Sequence, residues 1–378
     1  MFSSRSGNPV GAASPLIRRM NFAKSNGQIR LDLTVTDPTG WEERAALERQ
    51  ALSLLNNEAA RFYQPDSLGL FKAREVLART YGGSAHEWVL CASTSEAYSI
   101  LFQLLADPGQ RVAICRPSYP LLEDLARHGG IALADIPLRW TNSRWWLDIG
   151  WLERRLADPQ IVALVLIQPG NPTGWWLSNQ ERSMVLNLCR SHGKALIVDE
   201  VFAYDLHSDG FHSLHGENSA MVFVLGGLSK SLGLPQFKLG WIHASGPQRD
   251  LDASLERLSR INDGLLSASS PVQTALEVLL TLQEALHSPI QARCLENLSK
   301  LQELTLEGLE VLPAGGGWSR ILRLNHSREE DVCLRLLEMG VLVQPGYLYD
   351  LPGDHLVVSL LTKPSVFSEG LEALYTVI

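Results

Sequence analysis

Three polar segments, each directly after an apolar run, carry residue types that could perform chemistry together. They are residues 168–174 (QPGNPTG), the pair Asp199-Glu200, and residues 227–230 (GLSK). A lysine amine such as that of Lys230 can bond covalently to a carbonyl carbon, and a carboxylate can hold a cation beside it. Asn171 adds an amide that can donate a hydrogen bond. If the apolar runs are parallel strands of one sheet, all three segments open onto one crevice.

Each segment has an ordinary structural explanation when it is considered alone. Asn-Pro-Thr-Gly is typical of a turn, because Asn and Gly accept positive φ angles and Pro fixes its own. An acidic pair at a strand end is most often a solvated rim, and a Ser-Lys after two glycines is most often an exposed loop. The three segments together, each at the end of a predicted strand, favour one shared site.

The rest of the chain alternates between short apolar runs and longer amphipathic ones. Strands that are apolar on both faces and alternate with helices are typical of a mostly parallel, doubly wound sheet. Ser178 followed by Glu181 predicts a capping box at the start of one helix. The predicted helices span residues 95–106, 119–128 and 178–192. The predicted strands span residues 88–91, 111–115, 131–137, 161–168, 195–201, 221–225 and 239–244.

Changes in composition predict three parts of the chain. Residues 1–40 are rich in Gly, Pro, Ser and Thr, and we expect an N-terminal arm that wraps around the protein without packing into it. We expect residues 41–270 to form a large domain. Residues 271–378 should hold a long helix over 272–287 and then a smaller C-terminal α/β domain. The strands predicted in that domain span residues 318–324, 341–344 and 356–361.

The order of Asn171, Asp199 and Lys230 resembles the fold-type I pyridoxal-phosphate enzymes, and among them the class I and II aminotransferase family. The segments that carry the resemblance are NPTG, VDE and LSKSLGLPQFKLGW, and together they are specific. It extends from about Leu31 to about Leu361. The resemblance implies an α/β fold with a mostly parallel, doubly wound large domain, a smaller C-terminal α/β domain, and pyridoxal 5'-phosphate as cofactor.

The resemblance also implies a role for each of the three residues. Lys230 would hold the cofactor as a Schiff base, and its amine, once released, would move a proton at the substrate. Asp199 would lie against the pyridine nitrogen and keep it protonated, because a nearby carboxylate raises the pKa of such a cation. Asn171 would donate to the phenolic oxygen of the ring. Lys230 and Asp199 are therefore the predicted catalytic residues.

Further cofactor contacts follow from the same resemblance. Ser93, Thr94 and Ser95 match the turn into the helix that carries the cofactor phosphate, where the helix dipole favours an anion. Tyr119 matches the aromatic side chain that stacks on the cofactor ring. Tyr63 matches a tyrosine that reaches the phosphate in the partner subunit, which implies a homodimer. Taken singly, these residues could equally be a helix cap and a tyrosine packed in the core.

Three positions near the cofactor depart from the family pattern. Lys238 stands where the family has a phosphate-binding arginine, so the charge is kept but the bidentate fork is lost. Gly227 stands where a phosphate-contacting serine is common. Phe202 replaces a tyrosine whose hydroxyl reaches the ring oxygen, and Tyr204, two residues on, is a candidate substitute.

A fourth departure concerns the substrate. The family commonly has an arginine that binds the substrate α-carboxylate, and alignment on Ser359 puts Val357 in that place. Arg320, Arg323 and Lys363 are nearby bases that could take over, and the sequence does not choose between them. Ordinary α-amino-acid transamination is therefore the part of the resemblance that this departure questions.

Composition excludes several other classes of function. The chain has 378 residues, 45% hydrophobic and 20% charged, with a formal net charge of -8 and no Lys/Arg-rich run, which argues against nucleic-acid binding. Its five cysteines are dispersed, which predicts buried thiols and neither disulfides nor a metal site. The N-terminus has no signal-peptide core and no stretch has the apolar length of a membrane helix. We expect a cytoplasmic protein that does not associate with membranes.

The leading hypothesis is an aminotransferase that moves an amino group between a small amino donor and a keto acceptor. A lyase, a decarboxylase or an oxidase of the same fold would share every cofactor motif. A non-catalytic binding module of this fold is a third reading, weakened because the chain has no length for an added DNA-binding domain. A nucleotide-binding protein is weakened by the absence of a GxGxxG or Walker-type loop.

Overall fold

The computed structural model describes residues 3–7, 14–141 and 144–378. The predicted N-terminal arm therefore lies partly outside the described residues, at positions 1–2 and 8–13. The strands are β1 (Leu31–Asp32), β2 (Trp88–Cys91), β3 (Arg111–Arg116), β4 (Ala132–Trp140), β5 (Trp145–Leu147), β6 (Ile161–Ile167), β7 (Ala195–Asp199), β8 (Val222–Gly227), β9 (Gly240–Ser245), β10 (Leu309–Val311), β11 (Ser319–Leu324), β12 (Val341–Leu342), β13 (Gln344–Pro345) and β14 (His355–Ser359). The helices are α1 (Pro15–Ser25), α2 (Ala45–Ser53), α3 (Phe71–Tyr81), α4 (Thr94–Leu105), α5 (Leu121–Gly129), α6 (Ile149–Leu156), α7 (Asn179–Ser191), α8 (Leu228–Ser231), α9 (Gln248–Asp263), α10 (Ser270–Thr281), α11 (Gln283–Gln302), α12 (Glu329–Glu338) and α13 (Pro364–Val377).

The large sheet has eight strands in the order β2-β9-β8-β7-β6-β3-β4-β5. The inner run from β8 to β4 is parallel, and the pairings of β9 and β5 at the two sides are antiparallel. Alternate residues of the central strands enter different core clusters: Leu196 and Val198 pack with α6 and α7, whereas Ile197 packs with α4, α5 and α9. The sheet thus lies between two helical layers, which confirms the predicted mostly parallel, doubly wound α/β fold.

The smaller unit is built on an antiparallel sheet with the order β10-β11-β14-β13, covered by α12 and α13. The register pairs Ser319 with Ser359 and Ile321 with Val357, so these side chains share one face of the sheet. The capping box at α7 is confirmed, because Ser178 and Glu181 each accept from the other's backbone N–H. The predicted domain boundaries at residues 40 and 270 stay a prediction. Among the described residues, no helix has the length and apolar character needed to cross a membrane.

Part of the N-terminal stretch packs into the core, so the expectation that it only wraps is wrong for residues 15–25. Ser14 caps α1 and Pro15 occupies its first turn, both favourable at a helix start. Leu16, Met20 and Ala23 recur at helical spacing and are buried, and Leu16 and Met20 pack into the core of the small unit. The composition of this segment did not predict the helix, because only three of its residues form the buried apolar stripe.

The predicted long helix over 272–287 is two helices. The backbone N–H of Leu282 bonds to the carbonyl of Leu279, three residues back, at 3.0 Å. A bond of this kind tightens the last turn and ends α10. The N–H of Leu286 then bonds to the carbonyl of Leu282 at 2.9 Å, and α11 begins a new hydrogen-bond ladder.

A buried arginine joins three parts of the fold behind the predicted site. Arg44 is 0% exposed and its Nη1 lies 2.8 Å from the Glu48 carboxylate on α2. Its Nη2 donates to the carbonyl of Leu232 at 2.8 Å, two residues after Lys230, and its Nε donates to the carbonyl of Leu286 at 3.0 Å. One guanidinium therefore fixes the loop after α8 against α11 and α2.

Replacing Arg44 by methionine should destabilise the protein, because Glu48 and several carbonyl groups would lose their buried partner. We expect the free energy of unfolding to fall by about 3 kcal/mol. Arg49→Met is the matched control, since Arg49 lies in α2, the helix that begins directly after its cap Arg44, with an exposed side chain and should change stability by less than about 0.5 kcal/mol. Urea denaturation of the three proteins measures the difference, and equal stability of Arg44→Met and wild type would contradict the role given to Arg44.

Candidate active site

A cavity of about 550 Å³ lies between the carboxyl ends of the parallel strands and the small sheet. That volume is sufficient for a small-molecule ligand of cofactor size. Eight of the nine sequence-predicted site residues line it: Ser93, Thr94, Ser95, Tyr119, Asn171, Asp199, Lys230 and Lys238. Tyr63 does not. Its side chain is 82% exposed, and it borders a separate surface depression with Leu266 and Gln273.

Lys230 lies in the short helix α8, directly after β8. Its Nζ is 4.5 Å from the centroid of the Trp318 ring and 5.7 Å from that of the Phe202 ring. Burial lowers the pKa of Lys230, and the negative charges of Asp205 and Asp199 oppose that shift. A lowered pKa increases the neutral fraction of the amine, which is the form that attacks a carbonyl carbon.

Asp199 is the last residue of β7 and is buried beneath the cavity. Its Oδ2 accepts from the hydroxyl of Tyr98 at 3.0 Å, and its Oδ1 accepts from the backbone N–H of Val201 at 3.1 Å. Burial raises the pKa of Asp199 to about 6, while both hydrogen bonds and the charge of Lys230 lower it. The carboxylate is thus held ready for a cationic partner that would repay its desolvation.

The N-terminus of α4 opens onto the same cavity. Ser93 caps the helix by accepting from the N–H of Glu96 at 3.2 Å, and the Glu96 carboxylate accepts from the N–H of Ala92 at 2.6 Å. Gly240 presses against this turn, because a Cβ on it would lie 3.0 Å from the Ser93 carbonyl carbon. Lys238 adds a positive charge and has a left-handed backbone with φ 51°. A helix N-terminus beside a lysine is a favourable place for a phosphate.

Asn171 and Tyr119 border the cavity between these two regions. The Oδ1 atom of Asn171 is buried and has no hydrogen-bond partner within the described ranges. Such an unpaired buried polar atom indicates a place for a ligand group. Tyr119 is half-exposed over the cavity, and the pKa of its phenol is raised by burial and by the charge of Asp199.

Two departures from the family pattern have a clear structural setting. A Cβ on Gly227 would lie 3.0 Å from the Gly240 Cα and 3.0 Å from the Leu239 carbonyl oxygen, so a serine there would require the neighbouring backbone to move by a few tenths of an ångström. Phe202 packs edge-on against Trp318, with ring centroids 5.4 Å apart. Tyr204 does not line the cavity and therefore does not replace the missing hydroxyl. Its ring lies 6.2 Å from that of His287.

The small sheet supplies the opposite wall of the cavity. Ser319, Gln344 and Ser359 line this wall, and Val357 is buried on the same face. The candidate bases lie elsewhere. Arg320 points from the other face, is 1% exposed, and donates to the carbonyl of Ser319 at 2.6 Å. Arg323 pairs with Glu310, and Lys363 is exposed outside the cavity.

Tyr98, Ser319 and Gln344 were missed by reasoning from the sequence. Tyr98 lies one helical turn after Thr94, which is a signal that the two residues share a face of α4. Ser319 and Gln344 carried no comparable signal, because their position depends on how the small sheet packs over the large one. All five cysteines are buried and free. No group of His, Cys, Asp or Glu in the described part of the chain could hold a metal ion.

Comparisons with known proteins agree on one family. The family model for aminotransferase class I and II matches residues 29–372. The alanine aminotransferase of Mycobacterium tuberculosis is 26% identical over 367 residues, which cover 90% of this chain and 83% of that protein. The glutamate-pyruvate aminotransferase AlaA of Haemophilus influenzae is 24% identical over 361 residues, 89% of this chain and 87% of that one. The solved structure of the alanine aminotransferase from Pyrococcus furiosus, 20% identical, superposes with a TM-score of 0.86 over 100% of this chain and 99% of its own.

The buried carboxylate should destabilise the cofactor-free protein in a pH-dependent way. The pKa of Asp199 is raised from 3.8 to about 6, so the folded state holds its proton more tightly than the unfolded state. The contribution of this proton to the free energy of unfolding is fully present below pH 4 and is lost as the pH rises through about 6. Asp199→Asn, which stays neutral, should therefore be more stable than wild type by about 3 kcal/mol at pH 8, with a smaller gain at pH 5.

Urea denaturation of cofactor-free protein from pH 5 to pH 8 measures this difference. Asp209→Asn is the control, because Asp209 is exposed and its neutralisation should change stability little at any pH. A wild type as stable as Asp199→Asn at pH 8 would show that the ionised Asp199 carboxylate does not destabilise the folded protein.

Proposed function

Because the chain belongs to the class I and II aminotransferase family and is an enzyme of that family, we propose that it is a pyridoxal 5'-phosphate-dependent aminotransferase whose Lys230 holds the cofactor covalently. It would move an amino group between a small amino donor and a keto acceptor. The observation that carries the proposal is the convergence of Lys230, Asp199 and Asn171 on one cavity that also receives the N-terminus of α4.

The residues present fit this cofactor. Ser93, Thr94 and Ser95 at the start of α4, with Lys238, would hold the phosphate. The buried Asp199 carboxylate would pair with the ring nitrogen, and the side-chain amide of Asn171 would donate from its Nδ2 to the phenolic oxygen. The ring nitrogen would thereby pair with a carboxylate that is buried at a cost in the free cavity.

The chain's own residues would then do three things. When bound, pyridoxal phosphate supplies an electron sink for negative charge that develops at the substrate Cα. Asp199 would keep the ring nitrogen protonated, which maintains that sink. Lys230, once released, would take and return a proton at the substrate Cα, and its lowered pKa increases the fraction of the amine that is free to act as a base. Phe202 and Trp318 would exclude water from the amine.

The proposal includes a homodimer. Tyr63 and the neighbouring Phe62 are exposed, at 82% and 58%, as is Leu266 at 42%. Tyr63 and Leu266 border one surface depression. Exposed aromatic and aliphatic side chains in one region are typical of an interface. In the proposed dimer, Tyr63 would contact the phosphate in the partner subunit.

Borohydride reduction should attach a pyridoxyl group to Lys230, because a buried amine with a lowered pKa is the nucleophile in the cavity. Peptide mapping by mass spectrometry locates the label. Lys238→Ala is the matched control: it should weaken cofactor binding yet keep the label on Lys230, whereas Lys230→Ala should lose it. A label on Lys238, or on no lysine of cofactor-treated protein, would refute the proposed function.

Substrate range is a second proposal, and it rests on the wall formed by Ser319, Gln344 and Ser359. A buried carboxylate needs a paired cation. No cation lies on this wall at Val357, Arg320 points from the other face of the sheet, and Arg323 pairs with Glu310. We therefore propose that the donor presents an uncharged group here, as an amine or an unusual amino acid would.

L-alaninol, in which a hydroxymethyl group replaces the carboxylate of L-alanine, provides a matched pair of probes. We expect L-alaninol to convert the cofactor to pyridoxamine phosphate with an apparent second-order rate constant at least about tenfold above that for L-alanine. Val357→Arg should narrow the difference, and Val357→Leu, which adds bulk without charge, should not. Spectra of the half-reaction give both the rates and the product. Efficient conversion of L-alanine, unchanged in Arg320→Ala, would contradict the substrate proposal, and a product other than pyridoxamine phosphate would contradict transamination.

A further inference from the structure

The carboxylate beneath the cavity has a partner that does not line the cavity. Tyr98 lies on α4 with its ring buried, at 4% exposed, against Phe102. Its hydroxyl donates to Oδ2 of Asp199 at 3.0 Å, although the two residues are 101 positions apart in the chain. Because both side chains are buried, this bond is not exchanged with water.

The bond from Tyr98 complements a second one from the backbone. Oδ1 of Asp199 accepts from the N–H of Val201 at 3.1 Å. One donor on each oxygen, from two different elements, fixes the rotation of the carboxylate about its χ2 angle. Each oxygen keeps a free lone pair, so the carboxylate can still accept from a group that enters the cavity.

We propose that Tyr98 is a positioning residue that holds Asp199 ionised and aimed at the ring nitrogen of the cofactor. The inference rests on the proposed function and adds to it a residue that never touches the cofactor. α4 would thus have two tasks: its first turn binds the phosphate, and its second turn orients the carboxylate that meets the other end of the ring.

The charged and titratable groups around Asp199 support this assignment. They are Tyr98 on α4, Tyr119 after β3, Glu200 next in the chain, and Lys230 on α8. The Glu200 carboxylate is occupied by Gln168, Ser213 and the N–H of Leu214. Burial raises the pKa of Tyr98 far above its usual range, with Asp199 adding to the effect, so its hydroxyl remains a donor throughout the pH range of a working enzyme.

The direction of the effect follows from the direction of the bond. A hydroxyl that donates to a carboxylate stabilises the ionised form and lowers its pKa. Without Tyr98, burial would raise the pKa of Asp199 further. The carboxylate would then be protonated over more of the neutral range and could no longer hold a protonated ring nitrogen.

Tyr98→Phe tests the proposal because it removes the hydroxyl and keeps the ring. In the cofactor-loaded protein, the midpoint of the pH-dependent change in the cofactor absorbance should move up by roughly half a unit or more. The low-pH limb of kcat should move in the same direction, and kcat at neutral pH should fall roughly tenfold, as when a hydrogen bond to a buried charge is lost. Tyr81→Phe is the control, since Tyr81 is packed against Trp88 and Trp241 away from the cavity and should leave the midpoint unchanged.

A double-mutant cycle separates positioning from a general structural effect. In Asp199→Ala protein, Tyr98→Phe should change the cofactor dissociation constant by less than about twofold, because the group that Tyr98 orients is gone. An unchanged midpoint in Tyr98→Phe would overturn the inference. So would an equal loss of cofactor affinity when Tyr98→Phe is made in wild type and in the Asp199→Ala protein. If Tyr98→Phe does not fold, Tyr98→Met removes the donor with a more adaptable side chain. Borohydride labelling of Lys230 in the same preparations distinguishes the two failures: labelled protein with an unmoved midpoint refutes only the inference, and unlabelled protein refutes both.

Discussion

The cost of burying one carboxylate at the end of β7 shapes the site. Asp199 has lost its water, and the two hydrogen bonds it receives do not fully offset that loss, so burial still raises its pKa to about 6. The ammonium group of Lys230 lies in the same cavity, against the faces of Trp318 and Phe202. Burial therefore disfavours the charged form of each of the two groups. A bound ligand with a cationic ring would pair with the carboxylate, and its carbonyl group would react with the neutral amine.

The sequence alone was sufficient for the parts of the molecule in which one element decides its own structure. The strand at 88–91 and the capping box of Ser178 and Glu181 follow from short-range patterns, and the structure reproduces them. The residues at the ends of β7 and β8 meet because parallel strands align their carboxyl ends, whatever the packing details. Seven of the eight predicted residues that border the cavity end or follow a strand in this way, and Lys238 precedes the antiparallel strand β9.

Other features depend on contacts between distant parts of the chain. The hydroxyl of Tyr98 finds Asp199 only after α4 has packed on the sheet, and a tyrosine in an apolar helix otherwise predicts only core packing. The break at Leu282 is a change in hydrogen-bond register that no breaker residue marks. Gly227, interpreted as a departure from a family serine, lies in a tight place against Gly240 and Leu239, which becomes visible only once β8 and β9 pair.

The bonds of Arg44 also constrain how the two units can move. Its guanidinium donates hydrogen bonds to the carbonyl of Leu232, two residues after Lys230, and to that of Leu286 in the first turn of α11. The start of α11 therefore belongs mechanically to the large unit. A rigid-body rotation of the small unit that preserves these bonds must pivot on the C-terminal side of Leu286, within the helix itself. Pro289 lies there and removes one backbone N–H, so the helix lacks one of its hydrogen bonds where the pivot is required.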